Sequence, residues 1–304
     1  MTEITAKMAM ELRQRTGAGM MDCKHALQEA AGDMEKAADV LRTKGLAKAV
    51  KKAGREAKNG LIRIHKADDS HGAMMVLHCE TDFVARTDQF QALANGLTEY
   101  FAAAPLPPQC LGGVPAAEHY ESIKAMPFKD GRSVGDSIVD AVAKIGENIF
   151  IGQVVVERSE DAGDFLQDYI HGNRFGVLVC LTTGKQETHA TARFREVAKD
   201  LAMQVATGIP AVAVAVDRSG VPAEQVEHER QVLLEQAQAE GKKPEIAEKM
   251  VEGRLSKFYE EVCLLEQPYM KDDKIKVKEM LAAAEAELGD KITIARFHRF
   301  QLGE

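Results

Sequence analysis

The spacing of apolar residues changes at Asn59-Gly60 from the spacing of helices to that of strands. Upstream, apolar residues recur every three or four positions, as in Ile4, Met8 and Leu12, which is the spacing of one helix face. Downstream, apolar runs on both sides of the turn-forming segment 68–72 predict a β-hairpin. A chain that combines helical segments with local hairpins is predicted to have an α+β fold.

Three short helices are predicted in the first ~45 residues, and so few residues can bury only a small core. We expect breaks at Thr16–Gly19 and Gly32, and an end of the third helix at Gly45. After the hairpin, an amphipathic helix should begin at the capping residue Thr87. The Pro/Gly-rich segment 105–115 is predicted to be an exposed loop.

A second hairpin followed by a helix is predicted around residues 175–205. Its pattern is similar to that of the first hairpin and helix, and either a duplicated subdomain or convergence of two short hairpins explains this. Residues 222–262 then form two narrow apolar stripes, which predict two helices that fold back on each other. This helix pair either packs on its own domain or forms an arm that meets another chain. One more helix and a strand, at about 291–300, complete the chain.

A basic stretch runs from Arg42 to Lys66, with nine Lys or Arg residues and one acid, Glu56. It is either a solvated helical linker or a contact for an acidic partner surface. The whole chain has a formal charge of −8, which argues against a general nucleic-acid binder. No run approaches the ~20 apolar residues that a membrane helix needs. Five widely spaced cysteines without a CxxC pair suggest reduced thiols, so we expect a cytoplasmic protein.

The residue types and spacings that support catalysis are scarce. There is no phosphate-binding loop, and Gly17-Ala18-Gly19 follows a helix rather than a strand. The spacing of the candidate ligands in the first hairpin does not suit zinc; these are His65, His71, His78 and Cys79. Glu80 and Asp82 could form a carboxylate pair, but no Ser/His or Cys/His partner lies near them. We therefore expect an interaction protein without a cofactor, not an enzyme.

The segment Glu80–Val84 lies where the first hairpin ends and before the cap at Thr87. Strand-to-helix loops of this kind are commonly exposed and functional. Phe83 within it is either a core residue or an apolar contact for a partner.

Six segments, in order along the chain, resemble the elongation factor Ts family. They are Leu12–Leu27 with its Thr16-Gly17-Ala18-Gly19-Met20-Met21 centre, Cys79–Ala85, Lys144–Ile149, Ile170–Gly172, Lys243–Arg254, and Leu265 with Gln267-Pro268-Tyr269. The resemblance extends from residue 2 almost to the end of the chain. It implies a small three-helix, ubiquitin-associated-like domain, a two-part α+β core with antiparallel sheets, and an inserted antiparallel coiled-coil arm.

The resemblance also implies domain boundaries. These are 1–55 for the three-helix domain, 56–140 and 141–220 for the two core subdomains, 221–262 for the arm, and 263–304 for the rest of the second subdomain. The arm could support a homodimer. The basic stretch has no role assigned by the resemblance.

The function that the resemblance implies is guanine nucleotide exchange on elongation factor Tu, which would lose Mg²⁺ and GDP and then take up GTP. Phe83 would insert between helices of the partner's G domain, and Asp82 would disturb the Mg²⁺ environment, with Thr81 and Val84 shaping the loop. The N-terminal contacts with that domain would come from Arg13, Met20, Met21 and Lys24. His171 would contact another domain of the partner. The alternative is a ribosome- or RNA-associated interaction module without exchange activity.

Overall fold

The structure is a computed structural model that describes residues 4–104, 119–159, 161–240 and 244–303, without the side chains of 244–246. The predicted loop at 105–115 lies outside these residues. The chain divides into two compact units. The first contains residues 1–67, 72–157 and 300–304, and the second contains 68–71 and 158–299. The α+β fold class is confirmed, whereas the five domain boundaries stay predictions.

The first unit begins with the predicted three-helix bundle, formed by α1 (Ala6–Thr16), α2 (Met20–Glu29) and α3 (Met34–Lys52). Thr5 caps α1 by accepting a hydrogen bond from the backbone N–H of Met8 at 3.3 Å. Asp33 caps α3 in the same way, which satisfies N–H groups that a helix start leaves free. The bundle core consists of Ala9, Leu12, Cys23, Ala26, Leu27 and Ala37.

The predicted end of the third helix at Gly45 is wrong, because α3 continues to Lys52. Gly45 is buried inside the helix, and it faces α7 (Val134–Ile145). A Cβ atom added to Gly45 would lie 3.4 Å from the Cβ of Ala143, so glycine allows the two helices to approach closely. The first part of the basic stretch is therefore helical.

The first sheet contains the predicted hairpin, β1 (Asn59–Lys66) and β2 (His71–Cys79), paired antiparallel with Leu61 opposite Leu77. A third strand, β3 (Phe150–Arg158), was not predicted from the sequence and lies beside β2. Short helices α4 (Asp82–Ala85) and α6 (Tyr120–Ala125) belong to the same unit. The long helix α5 (Asp88–Ala103) has the predicted cap, since Thr87 Oγ1 accepts from Phe90 N at 3.4 Å.

The core of this unit lies between the sheet, α5 and α7. Its largest members are aromatic or long aliphatic side chains that are almost fully buried. They include Leu61, Met75, Leu77, Phe90, Leu97, Phe101 and Val156.

The second unit repeats the plan of an antiparallel hairpin followed by a helix. β4 (Asp164–His171) pairs with β5 (Phe175–Thr183), and β8 (Ile292–Gln301) lies on the other side of β5. The sheet packs on α8 (Ala192–Thr207) and α11 (Val277–Leu288), and a two-stranded ribbon connects to α11. The ribbon strands are β6 (Pro268–Tyr269) and β7 (Asp272–Lys276).

The predicted helix pair is confirmed as α9 (Ala223–Ala239) and α10 (Pro244–Val262), which run antiparallel. Leu233 of α9 packs against Val251 and Leu255 of α10. Two ion pairs also connect the helices: Arg230 with Glu252 at 2.8 Å and Arg254 with Glu240 at 3.1 Å. We call residues 223–262 the arm.

Within the described ranges, no helix combines the length and the apolar character that crossing a bilayer would need.

Candidate partner-binding site

Phe83 lies on α4, directly after the end of β2, and points into solvent. Its side chain is 77% exposed, the largest exposure of any large apolar side chain in the described ranges. Thr81 starts the short helix, and its Oγ1 accepts a hydrogen bond from Val84 N at 3.3 Å. We call residues 81–84 the Phe83 turn. The interpretation of Phe83 as a core residue is therefore wrong, because the turn holds it outside the core.

The other predicted residues of the Phe83 turn face different directions. Val84 is partly buried and packs against the core of the first unit. Asp82 lies in the first turn of α4 and forms an exposed ion pair with Arg86 at 2.9 Å. The turn is thus fixed on its inner side by Val84 and offers Asp82 and Phe83 on its outer side.

Glu147 holds the beginning of the Phe83 turn. Its Oε2 accepts hydrogen bonds from the backbone N–H groups of Glu80 and Thr81, both at 3.0 Å. Its Oε1 accepts from Thr81 Oγ1 at 2.6 Å. Hydrogen bonds to an ionised acceptor are shorter and stronger than bonds between neutral groups. One carboxylate therefore satisfies three donors at the point where the strand becomes a helix.

Glu80 continues this network toward α3. Its Oε1 accepts from the backbone N–H of Asn148 at 2.7 Å, and its backbone carbonyl accepts from Asn59 Nδ2 at 2.8 Å. Asn148 is buried, and its Nδ2 donates to the carbonyl of Arg55 at 2.8 Å. The residues after α7 thus contact both the Phe83 turn and the segment that leaves α3. This role of Glu80 differs from the acid/base pair considered from the sequence.

The segment 144–149 carries a family motif, but the motif by itself indicates no role for Glu147 or Asn148. Glu147 and Thr81 are 66 positions apart along the chain, and no short-range spacing signals such a contact. Gly146, in the left-handed region with a φ of 89°, ends α7 and turns the chain toward the sheet. A glycine just after a helix can be recognised in the sequence as the end of that helix. The direction in which the chain then continues is visible only in the structure.

Cys79, the last residue of β2, stabilises the same region as a neutral thiol. Its Sγ donates to the carbonyl of Thr81 at 3.1 Å. Burial raises the pKa of the Cys79 thiol to about 12, with a smaller contribution from the Glu147 carboxylate. The thiol is therefore protonated at neutral pH and is a poor nucleophile or metal ligand.

The predicted N-terminal contact residues occupy α1 and α2 of the bundle. Arg13 and Lys24 are exposed, and Met21 is 59% exposed. Met20 differs, because it is half-buried and packs against the bundle core. Lys24 lies one helical turn after Met21, so these two residues share a face of α2. The bundle therefore presents an apolar side chain next to a cation on this helix.

His171 ends β4 in the second unit and is exposed. Its Nδ1 lies 3.2 Å from the hydroxyl of Tyr169, and its ring lies near that of Phe175, with 6.5 Å between centroids. These aromatic side chains surround the tight turn that joins β4 to β5. His171 is thus the exposed member of an otherwise half-buried aromatic group, in a different unit from Phe83.

Two of the five cations in the helical part of the basic stretch form ion pairs with acids of the bundle. Lys44 pairs with Glu29 at 2.5 Å, and Lys48 pairs with Asp22 at 3.1 Å. Such exposed pairs contribute little stability, but they lower the net positive charge that a nucleic acid would meet. These contacts favour the interpretation of the helical part as a solvated surface.

In the part of the chain that the structure describes, no three His, Cys, Asp or Glu side chains come together in a way that could hold a metal ion. In the first hairpin, His71 instead lies 2.9 Å from Asp68, and His78 stacks on Phe150 with 4.8 Å between centroids.

Comparisons with known proteins agree with the motifs. The family model described as "Elongation factor TS" matches residues 80–304. Elongation factor Ts of Symbiobacterium thermophilum is 45% identical over 100% of this chain and 93% of the relative. The proteins of the same name from Prosthecochloris aestuarii and Desulfovibrio desulfuricans are 42% and 41% identical, and each alignment covers 99% or more of both chains.

Proposed function

The chain belongs to the elongation factor Ts family of translation elongation factors, and on this premise we propose that it releases GDP from elongation factor Tu. In this proposal the chain is a guanine nucleotide exchange factor and carries out no covalent chemistry. It binds the GDP form of its partner, promotes loss of Mg²⁺ and GDP, and leaves a form that takes up GTP.

The observation that carries the proposal is the exposed position of Phe83 on a fixed turn. An exposed Phe forgoes the free energy that burial of its ring would contribute. Hydrogen bonds nevertheless hold the backbone around Phe83 in this position. Glu147 and the Thr81 cap fix the backbone on both sides of it. A rigid turn with an apolar tip is suited to insertion between two elements of a partner, because little conformational entropy is lost on binding.

Insertion would accelerate release by favouring a partner conformation that binds nucleotide poorly. Nanomolar nucleotide affinity corresponds to about 12 kcal/mol, so release without help is slow. Mg²⁺ requires near-ideal octahedral geometry, so small displacements of its ligands weaken Mg²⁺ binding strongly. Asp82, on the outer side of the turn, would add a negative charge near that site. Linkage then requires that GDP weakens binding of the factor by the same ratio.

The remaining predicted residues would bind the partner outside the insertion point. Met21 and Lys24 offer a mixed apolar and cationic contact on α2, with Arg13 on α1 nearby in sequence. Met20 would act by packing under this surface, because it is half-buried. His171 would supply a contact from the second unit. Together they would provide affinity, whereas Phe83 would act on release.

The test is the release of fluorescent GDP from purified elongation factor Tu, with and without this chain. We expect a catalytic amount of the chain to accelerate release, and Phe83→Ala to lose most of the acceleration. Val50→Ala is a matched control, since Val50 is 75% exposed on α3 and lies outside the proposed contact residues. Unchanged release with the wild-type chain would refute the proposal. Calorimetry with GTP and the chain alone should show no micromolar binding.

The same samples test the RNA-associated alternative. A module that binds RNA through Lys and Arg residues would lose affinity steeply as salt rises, with a slope set by the number of phosphate contacts. We expect no RNA binding at physiological salt concentration, because acids within the bundle neutralise part of the basic stretch. Tight, strongly salt-dependent RNA binding, together with GDP release that the chain does not accelerate, would support the alternative instead.

A further inference from the structure

We propose that Glu147 is a positioning residue for nucleotide release, whose carboxylate holds the Phe83 turn in the conformation that presents Phe83. This inference rests on the proposed exchange function. It assigns a role to a residue outside the predicted contact set, and it separates binding of the partner from action on the nucleotide.

The hydrogen bonds form a directed chain. An ionised carboxylate only accepts, so the single hydroxyl proton of Thr81 must point at Glu147 Oε1, 2.6 Å away. The lone pairs of Thr81 Oγ1 are then left for Val84 N, which donates to it at 3.3 Å. The backbone N–H groups of Glu80 and Thr81 complete the contact with the carboxylate. The groups on both sides of Phe83 are thus oriented from one side chain.

The position of Glu147 is itself fixed. It follows Gly146, which ends α7, and it precedes Asn148, which is 5% exposed and bonded on its backbone and side chain. A residue between two such anchors has little freedom. Glu147 can therefore hold in place a turn that Val84 already anchors to the core on its inner side.

Removing the carboxylate should affect release more than docking. Without it, the Phe83 turn samples other conformations, and only the fraction in the competent conformation can act on the partner. Docking through the bundle and the second unit does not require that conformation. The release rate at saturating factor should therefore fall, while the half-saturating concentration changes little.

The test compares three variants in the GDP-release assay at several concentrations of factor. Glu147→Met keeps the side-chain length and removes the acceptors, and we expect about a tenfold lower maximal rate, which corresponds to ~1.4 kcal/mol. Glu147→Gln keeps an uncharged acceptor, and we expect a loss of no more than about threefold. In both variants the half-saturating concentration should stay within about threefold of wild type.

Asp136→Asn is the matched control for stability. Asp136 caps the beginning of α7 through reciprocal hydrogen bonds with Ser133, at the opposite end of the helix from Glu147. It should leave the maximal rate unchanged per folded molecule. Amide hydrogen exchange supplies the second readout: the N–H groups of Thr81 and Val84 should exchange faster in Glu147→Met and at the wild-type rate in Asp136→Asn.

The outcomes that overturn the inference are specific. A wild-type maximal rate in Glu147→Met would show that order in the turn is not needed for release. Equal losses in Glu147→Met and Asp136→Asn would show that only the stability of the unit matters. If the wild-type chain fails to accelerate release, the proposed function fails at that first step. The exchange of the Thr81 and Val84 amides then still decides whether Glu147 orders the turn.

Discussion

The side-chain amide of Asn148 donates a 2.8 Å hydrogen bond to the backbone carbonyl of Arg55, so the end of α7 holds the segment that leaves α3. Lys52, the last residue of α3, also donates to the carbonyl of Gly146. The backbone N–H of Asn148 meanwhile donates to Glu80, beside the Phe83 turn. Residues 146–148 therefore connect the bundle with that turn.

This arrangement predicts that Asn148→Ala weakens docking rather than release. The variant loses the bond to Arg55 but keeps the backbone bond to Glu80, so the bundle becomes more mobile while the turn stays ordered. We expect the half-saturating concentration in the GDP-release assay to rise about threefold to tenfold, which corresponds to a loss of about 1 kcal/mol of binding free energy. The maximal rate should stay near wild type, opposite to the result for Glu147→Met.

Asn95→Ala is a suitable control for this variant. Asn95 is exposed on α5, where its Oδ1 accepts from Arg63 Nε at 2.9 Å, away from residues 146–148 in sequence. It should leave both parameters unchanged. A fall in the maximal rate of Asn148→Ala, with an unchanged half-saturating concentration, would contradict the separation of docking from release.

Phe83→Ala should reduce release far more than it reduces stability. A buried Phe would cost ~3–5 kcal/mol of unfolding free energy when truncated. The exposed Phe83 should cost well under ~1 kcal/mol, as other surface substitutions do. Thermal or urea unfolding and GDP release should be measured on the same sample. Strong destabilisation with normal release per folded molecule would show that Phe83 supports the fold instead.

Asp82→Ala should act in the same direction as Phe83→Ala, with a smaller effect. The two residues are neighbours on one turn, so their effects on release should not add. Arg86→Ala is the useful comparison, because Asp82 pairs with Arg86 at 2.9 Å. If Asp82 acted only through that ion pair, Arg86→Ala would reproduce the loss. We expect it to release GDP at the wild-type rate.

Local sequence patterns predict much of the fold, and they fail where contacts between distant segments decide the structure. The first hairpin, the cap at Thr87 and the two helices of the arm follow from periodicity and capping residues that act within a few positions. The predicted end of α3 at Gly45 is wrong, because this glycine is buried inside the helix and does not end it. In the structure Gly45 allows contact with Ala143, almost a hundred positions away.

The candidate site was predictable only in its exposed part. Motif resemblance selected Phe83 and its neighbours, but periodicity alone left its burial open. The side chains that hold the turn, Glu147 and Asn148, come from a distant segment, and contacts between distant segments leave no pattern in a single sequence. The sequence of one chain therefore predicts the exposed residue of such a site more readily than the residues that hold it in place.

The cap of α7 should give the first unit a measurable pH dependence. Hydrogen bonds from the backbone and hydroxyl of Ser133 hold the pKa of the Asp136 carboxyl below its ordinary value of 3.8. Because the folded pKa is lower than the unfolded one, this cap stabilises the fold fully above about pH 4 and less as the pH falls through the folded pKa. Asn at position 136 imitates the protonated form.

We therefore expect the difference in unfolding free energy between wild type and Asp136→Asn to depend on pH. It should be about 0.5–1 kcal/mol at pH 6, the usual contribution of a helix cap, and should shrink as the pH falls below the ordinary value of 3.8 and through the lower folded pKa. Urea unfolding at a series of pH values measures it, and taking the difference cancels other carboxylates. A difference that stays constant from pH 6 to the acid limit would contradict the role of the ionised cap.

The last prediction concerns the arm, whose contacts fall into an outer and a basal group. The outer group joins Leu233 to Val251 and Leu255 within the helix pair itself. The basal group joins Val221, Val262 and Cys263 to Ala215 of the second unit, and Val214 N donates to the carbonyl of Val262 at 2.9 Å. The basal group ties the arm to the rest of its unit, together with the ion pair between Glu260 and Lys276 at 2.7 Å.

Replacing residues 230–254 by a short Gly/Ser turn should therefore remove the outer arm and leave a folded protein. The shortened chain keeps the basal group, so we expect cooperative melting, with GDP release only partly reduced. If the arm supports a homodimer, light scattering should show a lower mass than for the full chain at the same concentration. Full-length protein carrying Val262→Asp is the opposite comparison, because it keeps the outer arm and disrupts the basal group, and it should lose much more stability. Aggregation or loss of cooperative melting in the shortened chain would show instead that the outer arm is part of the core.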